Sequence, residues 1–120
     1  MPEDRKDWIR NVIPLGHSLR QRLNLLAGRI PTSCRERLLP DADEWAKATT
    51  RARNDLSHSG RSAADVERLY AVVRVTRAVV LVNILIELGL GEDRLLKAVT
   101  DNQELAGACQ LASKHFASTG

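Results

Sequence analysis

Apolar side chains recur along this chain at intervals of three and four residues, the period of a helix lying on a core. Residues 5–28 carry Trp8, Ile9, Val12, Leu15, Leu19, Leu23, Leu26 and Ala27 close to that spacing. Pro14 and Gly16 are expected to kink or split this run, and Gly28 with Pro31 to end it. Arg29–Pro40 then reads as a connector holding at most one short turn around Arg35–Leu39. Asp41 with Glu44 three residues on forms a capping box, with Asp43 as an alternative cap. It predicts a helix over about 42–57 through Trp45, Ala48, Ala52 and Leu56, closed by Ser59-Gly60. Ser62 with Asp65 is a second box and opens the longest element, about 63–89. Its apolar positions are Val66, Leu69, Tyr70, Val73, Val80, Leu81, Ile84 and Leu88, and Gly89 and Gly91 stop it. Two short helices follow, about 92–99 and 103–116, the second introduced by Asp101 or Asn102.

The longest element is rich in Val and Ile, so a strand has to be considered there. Neither Pro nor Gly interrupts 62–88, and a strand of that length lies far outside the usual range. From Val79 to Ile86 the helix is apolar nearly all round, which calls for burial on two sides. In a small domain the second side is most simply a partner subunit or the rest of a longer parent chain. The apolar run from Ala78 to Ile86, broken by Asn83, falls well short of the ~20 residues that cross a bilayer. The fold class expected is all-α: one helical bundle over 1–120 with the long helix as its axis.

Composition narrows the chemistry. The 120 residues hold 18 Lys+Arg against 15 Asp+Glu, 43% hydrophobic residues and 3% aromatic ones. That excludes collagen-like, disulfide-scaffold and disordered classes. The four rings, Trp8, Trp45, Tyr70 and Phe116, are too few for a sheet or barrel that stacks bases. Four of the 18 cations are lysines, leaving 14 arginines, whose planar forks suit phosphate. A nucleic-acid partner is permitted, as is a GC-rich genome that favours Arg codons. Cys34 and Cys109 stand apart without a CxxC or paired histidines, so no metal site is expected, and the thiols fit a reduced, cytoplasmic setting. The charged start MPEDRKDW carries no apolar signal core.

Sequence motifs for acyl transfer, nucleotide-triphosphate binding, dinucleotide binding and zinc hydrolysis are missing, and no cofactor is expected. What stands out is Arg53-Asn54-Asp55-Leu56-Ser57-His58 ahead of a glycine turn. Asn54 and His58 are four apart and share a helix face, so the amide can fix the imidazole tautomer. Arg53 and His58 are five apart, ~140° around a regular helix. They converge on one phosphate only if the helix breaks at Ser57–Ser59 or a second copy of the motif faces the first. Such a cleft has the parts to cleave RNA without metal. An imidazole takes the 2′-hydroxyl proton or protonates the leaving oxygen, and a guanidinium stabilises the charge developing on phosphorus. The products would be a 2′,3′-cyclic phosphate and a 5′-hydroxyl, and DNA would resist.

The bare spacing is weak evidence, since Arg five residues before one of three histidines arises ~0.35 times by chance in this composition. Arg10-Asn11 with His17 is a second, looser match across Pro14 and Gly16. The bland alternative has Arg53 and Asp55 as solvated charges and His58 at a helix C-terminus, where a cation gains ~0.3–1 kcal/mol. Lys47, Arg51 and Arg61 flank the motif and can position a phosphate backbone, or simply be a solvated basic face. Arg74 and Arg77 interrupt the long helix as cleft-lining or snorkelling cations. Trp45 reads as core, Asp55 and Arg51 as a surface pair, and His17 and His115 as packing or surface residues.

The stretch from Trp45 to Gly60, followed by a Leu69-Tyr70 helix that ends in Leu88-Gly89-Leu90, resembles the HEPN ribonuclease superfamily. It is closest to the C-terminal HEPN domains of ApeA-like antiphage proteins. The resemblance covers residues 42–90 well and 1–40 only in being helical. The family pattern is Arg, a polar residue, and a His a few residues on, within a dimerising helical bundle. Arg53 and His58 match its catalytic pair and Asn54 its polar position. The resemblance implies a metal-independent endoribonuclease acting as a toxin or in abortive infection. It also implies a homodimer, and a domain often carried on a longer chain or controlled by an antitoxin. The alternative it leaves open is a catalytically inactive HEPN module that dimerises or binds RNA or nucleotides.

Overall fold

A computed structural model describes residues 18–59 and 66–117, residues 58 and 59 by their backbone alone. Among the described residues every regular element is a helix: α1 (Leu19–Gly28), α2 (Thr32–Leu38), α3 (Ala42–Ser59), α4 (Val66–Glu87), α5 (Glu92–Asp101) and α6 (Gln103–His115). The all-α expectation holds. The boxes expected at Ser62–Asp65 and the helical run before residue 18, with His17, lie outside the described residues.

Three of the starts have a side-chain cap. Ser18 accepts from the Gln21 N–H at 3.2 Å while the Gln21 side chain accepts from the Ser18 N–H at 2.8 Å, a complete capping box. Asp41 accepts from the Glu44 N–H at 3.0 Å, and Asn102, rather than Asp101, caps α6 through the Leu105 N–H at 3.1 Å. Gly89, at φ 93°, supplies the left-handed turn after α4. The connector 29–40 departs from expectation: it contains a seven-residue helix, α2, which buries Cys34 and Leu38 one turn apart.

The long helix α4 is the axis. Its buried face, Ala71, Val72, Val75, Ala78, Val79 and Val82, meets Leu23, Ala27, Trp45, Leu105, Ala108 and Phe116 in one core. Burying such side chains supplies roughly 1.5–3 kcal/mol each, which holds an otherwise polar assembly of short helices together. By length and apolarity α4 would pass for a membrane span, but that buried face makes it the core helix of a soluble helical domain. Cys34 is buried and Cys109 half-buried, both as free thiols, and burial pushes both thiols above their ordinary pKa.

Among the described residues nothing covers the opposite face of α4. Val66, Tyr70, Val73, Val80, Ile84 and Leu88 are all exposed, and with Arg77 they follow a three-four spacing along one stripe. Ile84 is 50% exposed and Val80 44%. The two-sided burial expected for this helix is met on one side among the described residues.

Candidate functional site

The Arg53–His58 segment lies in the last turns of α3, which continues without a break to Ser59. That continuity removes one of the two routes by which Arg53 and His58 could converge. On an unbroken helix, positions 53 and 58 stay ~140° apart.

The α3–α4 seam decides which side each residue serves. Ala52 and Val72 sit at its centre, and a groove opens on either flank. One groove, about 520 Å³, is lined by Arg53, Leu56 and Ser57 from α3 and by Leu69, Val73 and Arg77 from α4. Its walls are mainly apolar, and Thr49 places a buried Oγ1 there without a hydrogen-bond partner among the described residues. The uncovered stripe of α4 borders it through Val73 and Arg77. A second pocket extends it along α4 past Thr76 and Arg77 to Val80 and Ile84.

The other flank is polar. About 410 Å³ is enclosed by Glu44, Lys47, Arg51 and Arg68 over a floor of Ala48, Ala52 and Val72. Next to it, between α1 and α3, about 530 Å³ is lined by Arg20, Lys47, Thr50, Arg51, Asn54 and Asp55. Lys47 and Arg51 therefore line both polar grooves, and Asn54 joins them, whereas Arg53 faces the apolar one. By helical register position 58 falls on the row of 47, 51 and 54, not on the side of 53.

Most cations here have partners. Arg20 reaches Asp43 at 2.7 Å and Lys47 reaches the same carboxylate at 3.6 Å. The hydrogen bond from Arg20 holds the Asp43 carboxyl below its usual range. Arg68 donates to Glu44 at 3.2 Å and to the His115 carbonyl at 3.1 Å, and stacks over Phe116. Arg77 pairs with Glu104 at 2.9 Å, and Arg74 donates to Tyr70 Oη at 2.6 Å and to the Glu104 carbonyl at 3.3 Å. Arg51 and Arg53 are exposed and form no ion pair among the described residues.

Of the residues singled out from sequence, Lys47, Arg51 and Asn54 come together and Arg53 stands on the other flank. Arg61 lies outside the described residues. The pairing suggested for Arg51 with Asp55 does not form as an ion pair. Trp45 is core, fully buried. Arg20 and Arg68 were missed, because their places beside α3 depend on contacts from α1 and α4 that no local spacing announces. Among the described residues no three His, Cys, Asp or Glu gather into a metal-binding group.

Neither a curated protein nor a solved structure matches the chain significantly. A family profile described as Apea-like HEPN matches residues 1–94. The match takes in α1 to α4, both flanks of the α3–α4 seam and the Arg53–His58 segment, and reaches well before the stretch that carried the resemblance in sequence. Over that span, and with this all-helical architecture, the chain belongs to the Apea-like HEPN family.

Proposed function

We propose that this HEPN domain is a metal-independent endoribonuclease that works as a homodimer, with a toxin or abortive-infection role against phage in the cytoplasm. The observation that carries the reading is the intact Arg53-Asn54-x3-His58 segment on an unbroken helix beside an uncovered apolar stripe. The unbroken helix keeps Arg53 and His58 of one chain apart, so convergence calls for a second copy. The stripe on α4 supplies a face for that copy, and Arg53 lies in the groove along its edge.

In this mechanism His58 exchanges the proton, taking it from the 2′-hydroxyl or delivering it to the leaving 5′-oxygen. Asn54 orients the imidazole from one turn earlier. Arg53 stabilises the charge that develops on the phosphorane. Lys47, Arg51 and Arg61 contact the RNA backbone. These residues act in one domain spanning the chain, which can also be a part of a larger protein.

The test is cleavage of RNA in EDTA by wild type, Arg53→Ala and His58→Ala, with analysis of product ends. Cyclic phosphate and 5′-hydroxyl ends, absent with both variants and with DNA, are the expected result. Intact dimers that leave every RNA whole would instead select a catalytically silent RNA- or nucleotide-binding HEPN module.

A further inference from the structure

The two flanks of α3 are chemically unlike, and a reading in which Arg53, Asn54 and His58 form one patch overlooks this. Lys47, Arg51, Asn54 and position 58 follow one another at intervals of four, three and four, forming a single row ~16 Å long on a regular helix. Arg53 is off this row. Alongside the row runs the groove between α1 and α3, whose far wall is Arg20.

The ion pairs rank the cations along it. Arg20 and Lys47 share Asp43, so each has part of its charge answered within the fold. Arg68, across the adjoining pocket, is held by Glu44 and the His115 carbonyl. Arg51 borders both grooves, is exposed and has no ion-pair partner among the described residues. Thr50 donates its hydroxyl to the Ala46 carbonyl, leaving Asn54 as the neutral donor beside Arg51. A free guanidinium next to an amide, between tethered cations and with the Asp55 carboxylate as the groove's one acidic lining residue, suits a phosphodiester whose oxygens accept from the guanidinium and the amide.

We infer that a single RNA strand lies in the α1–α3 groove, with Arg51 as its main phosphate ligand and Arg20 as the opposite wall, while Arg53 takes no part in holding it. Arg51 is thus a positioning residue that leads the strand along the row toward position 58. The inference rests on reading this domain as one that handles RNA, and it divides labour between two arginines only two residues apart. It also separates binding from chemistry, since one flank grips the strand and the other supplies Arg53.

The experiment measures binding of a short mixed-sequence RNA with 2′-O-methyl riboses, which offers no attacking hydroxyl, by the full chain across a range of salt. Wild type, Arg51→Gln, Arg51→Lys, Arg20→Gln and Arg53→Gln are compared. Arg51→Gln is expected to weaken binding several-fold and to lower the slope of log K against log salt by about 0.7, one phosphate's share for a single strand. Arg51→Lys should restore the slope, Arg20→Gln should weaken binding to a lesser degree, and Arg53→Gln should bind as wild type. An unchanged slope in Arg51→Gln, or equal losses in Arg51→Gln and Arg53→Gln, overturns the inference. So does a wild type that fails to bind this RNA at low salt. A slope that falls as expected in a protein that cuts no RNA would keep this inference and sink the ribonuclease reading. Cleavage with an unaltered slope would do the reverse. In a cleaving protein, Arg51→Gln should raise KM and leave kcat, a split that a merely structural residue would not produce.

Discussion

Trp45 donates its indole Nε1–H to Thr76 Oγ1 at 3.1 Å, joining α3 to α4 at the depth of the core. The indole is fully buried, and this bond satisfies a donor that water does not reach. It also fixes α3 against α4 two turns before Arg53. Thr76→Val removes the acceptor while keeping shape, and should cost about 1–2 kcal/mol through the orphaned N–H. The thermal midpoint should fall by several degrees, and a melt followed by far-UV circular dichroism measures it. An unchanged midpoint would mean that the indole finds another acceptor.

Asn83 sits in the core, 6% exposed, where α4 crosses the end of α1. Its Nδ2 donates to the Val79 carbonyl at 2.9 Å and to the Leu26 carbonyl at 3.2 Å, while Oδ1 is buried without a partner among the described residues. Leu26 also accepts from the Arg29 N–H, so its carbonyl stays paired if the amide is removed. Asn83→Leu should therefore be neutral to within ~1 kcal/mol. Asn83→Asp places a carboxylate against two carbonyls and should cost on the order of 3 kcal/mol at neutral pH. Burial raises that carboxyl's folded-state pKa, so the variant's stability should be greatest in acid and decline as pH rises. Denaturant unfolding of both variants at two pH values tests the contrast.

How much of this was legible beforehand follows from how local each signal is. The long helix, the Trp45 anchor, the Asp41 and Asn102 caps and the Gly89 stop all rest on neighbours within a turn or two, and the chain displays them. Helix α2 was not legible, because seven residues with two buried positions carry too little periodicity to separate from a turn. Ser59-Gly60 predicts a stop that leaves α3 two residues short, while the helix persists through Ser59. Within the site, the ~140° between Arg53 and position 58 could be computed from spacing. Which groove each flank would face could not, because Arg20, Arg68, Leu69 and Arg77 arrive from other helices.

The stripe on α4 makes the proposed dimer testable without reference to activity. Ile84 lies on it far from Arg53 and half exposed, so Ile84→Arg should leave the fold of the single chain intact. A charge inside an apolar self-association face is costly, and a two-fold contact would meet it twice. Sedimentation should show a dimer for wild type and a monomer for Ile84→Arg, with helical content unchanged. RNA cleavage should disappear with the dimer. A monomer that still cuts RNA would move the proposed site into one chain.

Asp43 links α1 to α3 by accepting from Arg20 and attracting Lys47. The Arg20 hydrogen bond is the leading cause of its lowered pKa. A carboxyl depressed in the folded state contributes stability that is present above its unfolded pKa, about 3.9, and is lost as pH falls through the folded value. Arg20→Gln should return the Asp43 pKa toward the ordinary carboxylate value, visible in an NMR titration of the side-chain carboxyl. Because the pair is exposed, the effect on overall stability should be small and should shrink with salt. The same substitution opens the far wall of the α1–α3 groove and leaves the Asp43 carboxylate to Lys47, so the titration and the RNA-binding slope report on one cluster. An Asp43 pKa that does not move in Arg20→Gln would show that Lys47 and the Asn24 side chain hold the carboxylate without Arg20, and that Arg20 is free to turn toward the groove.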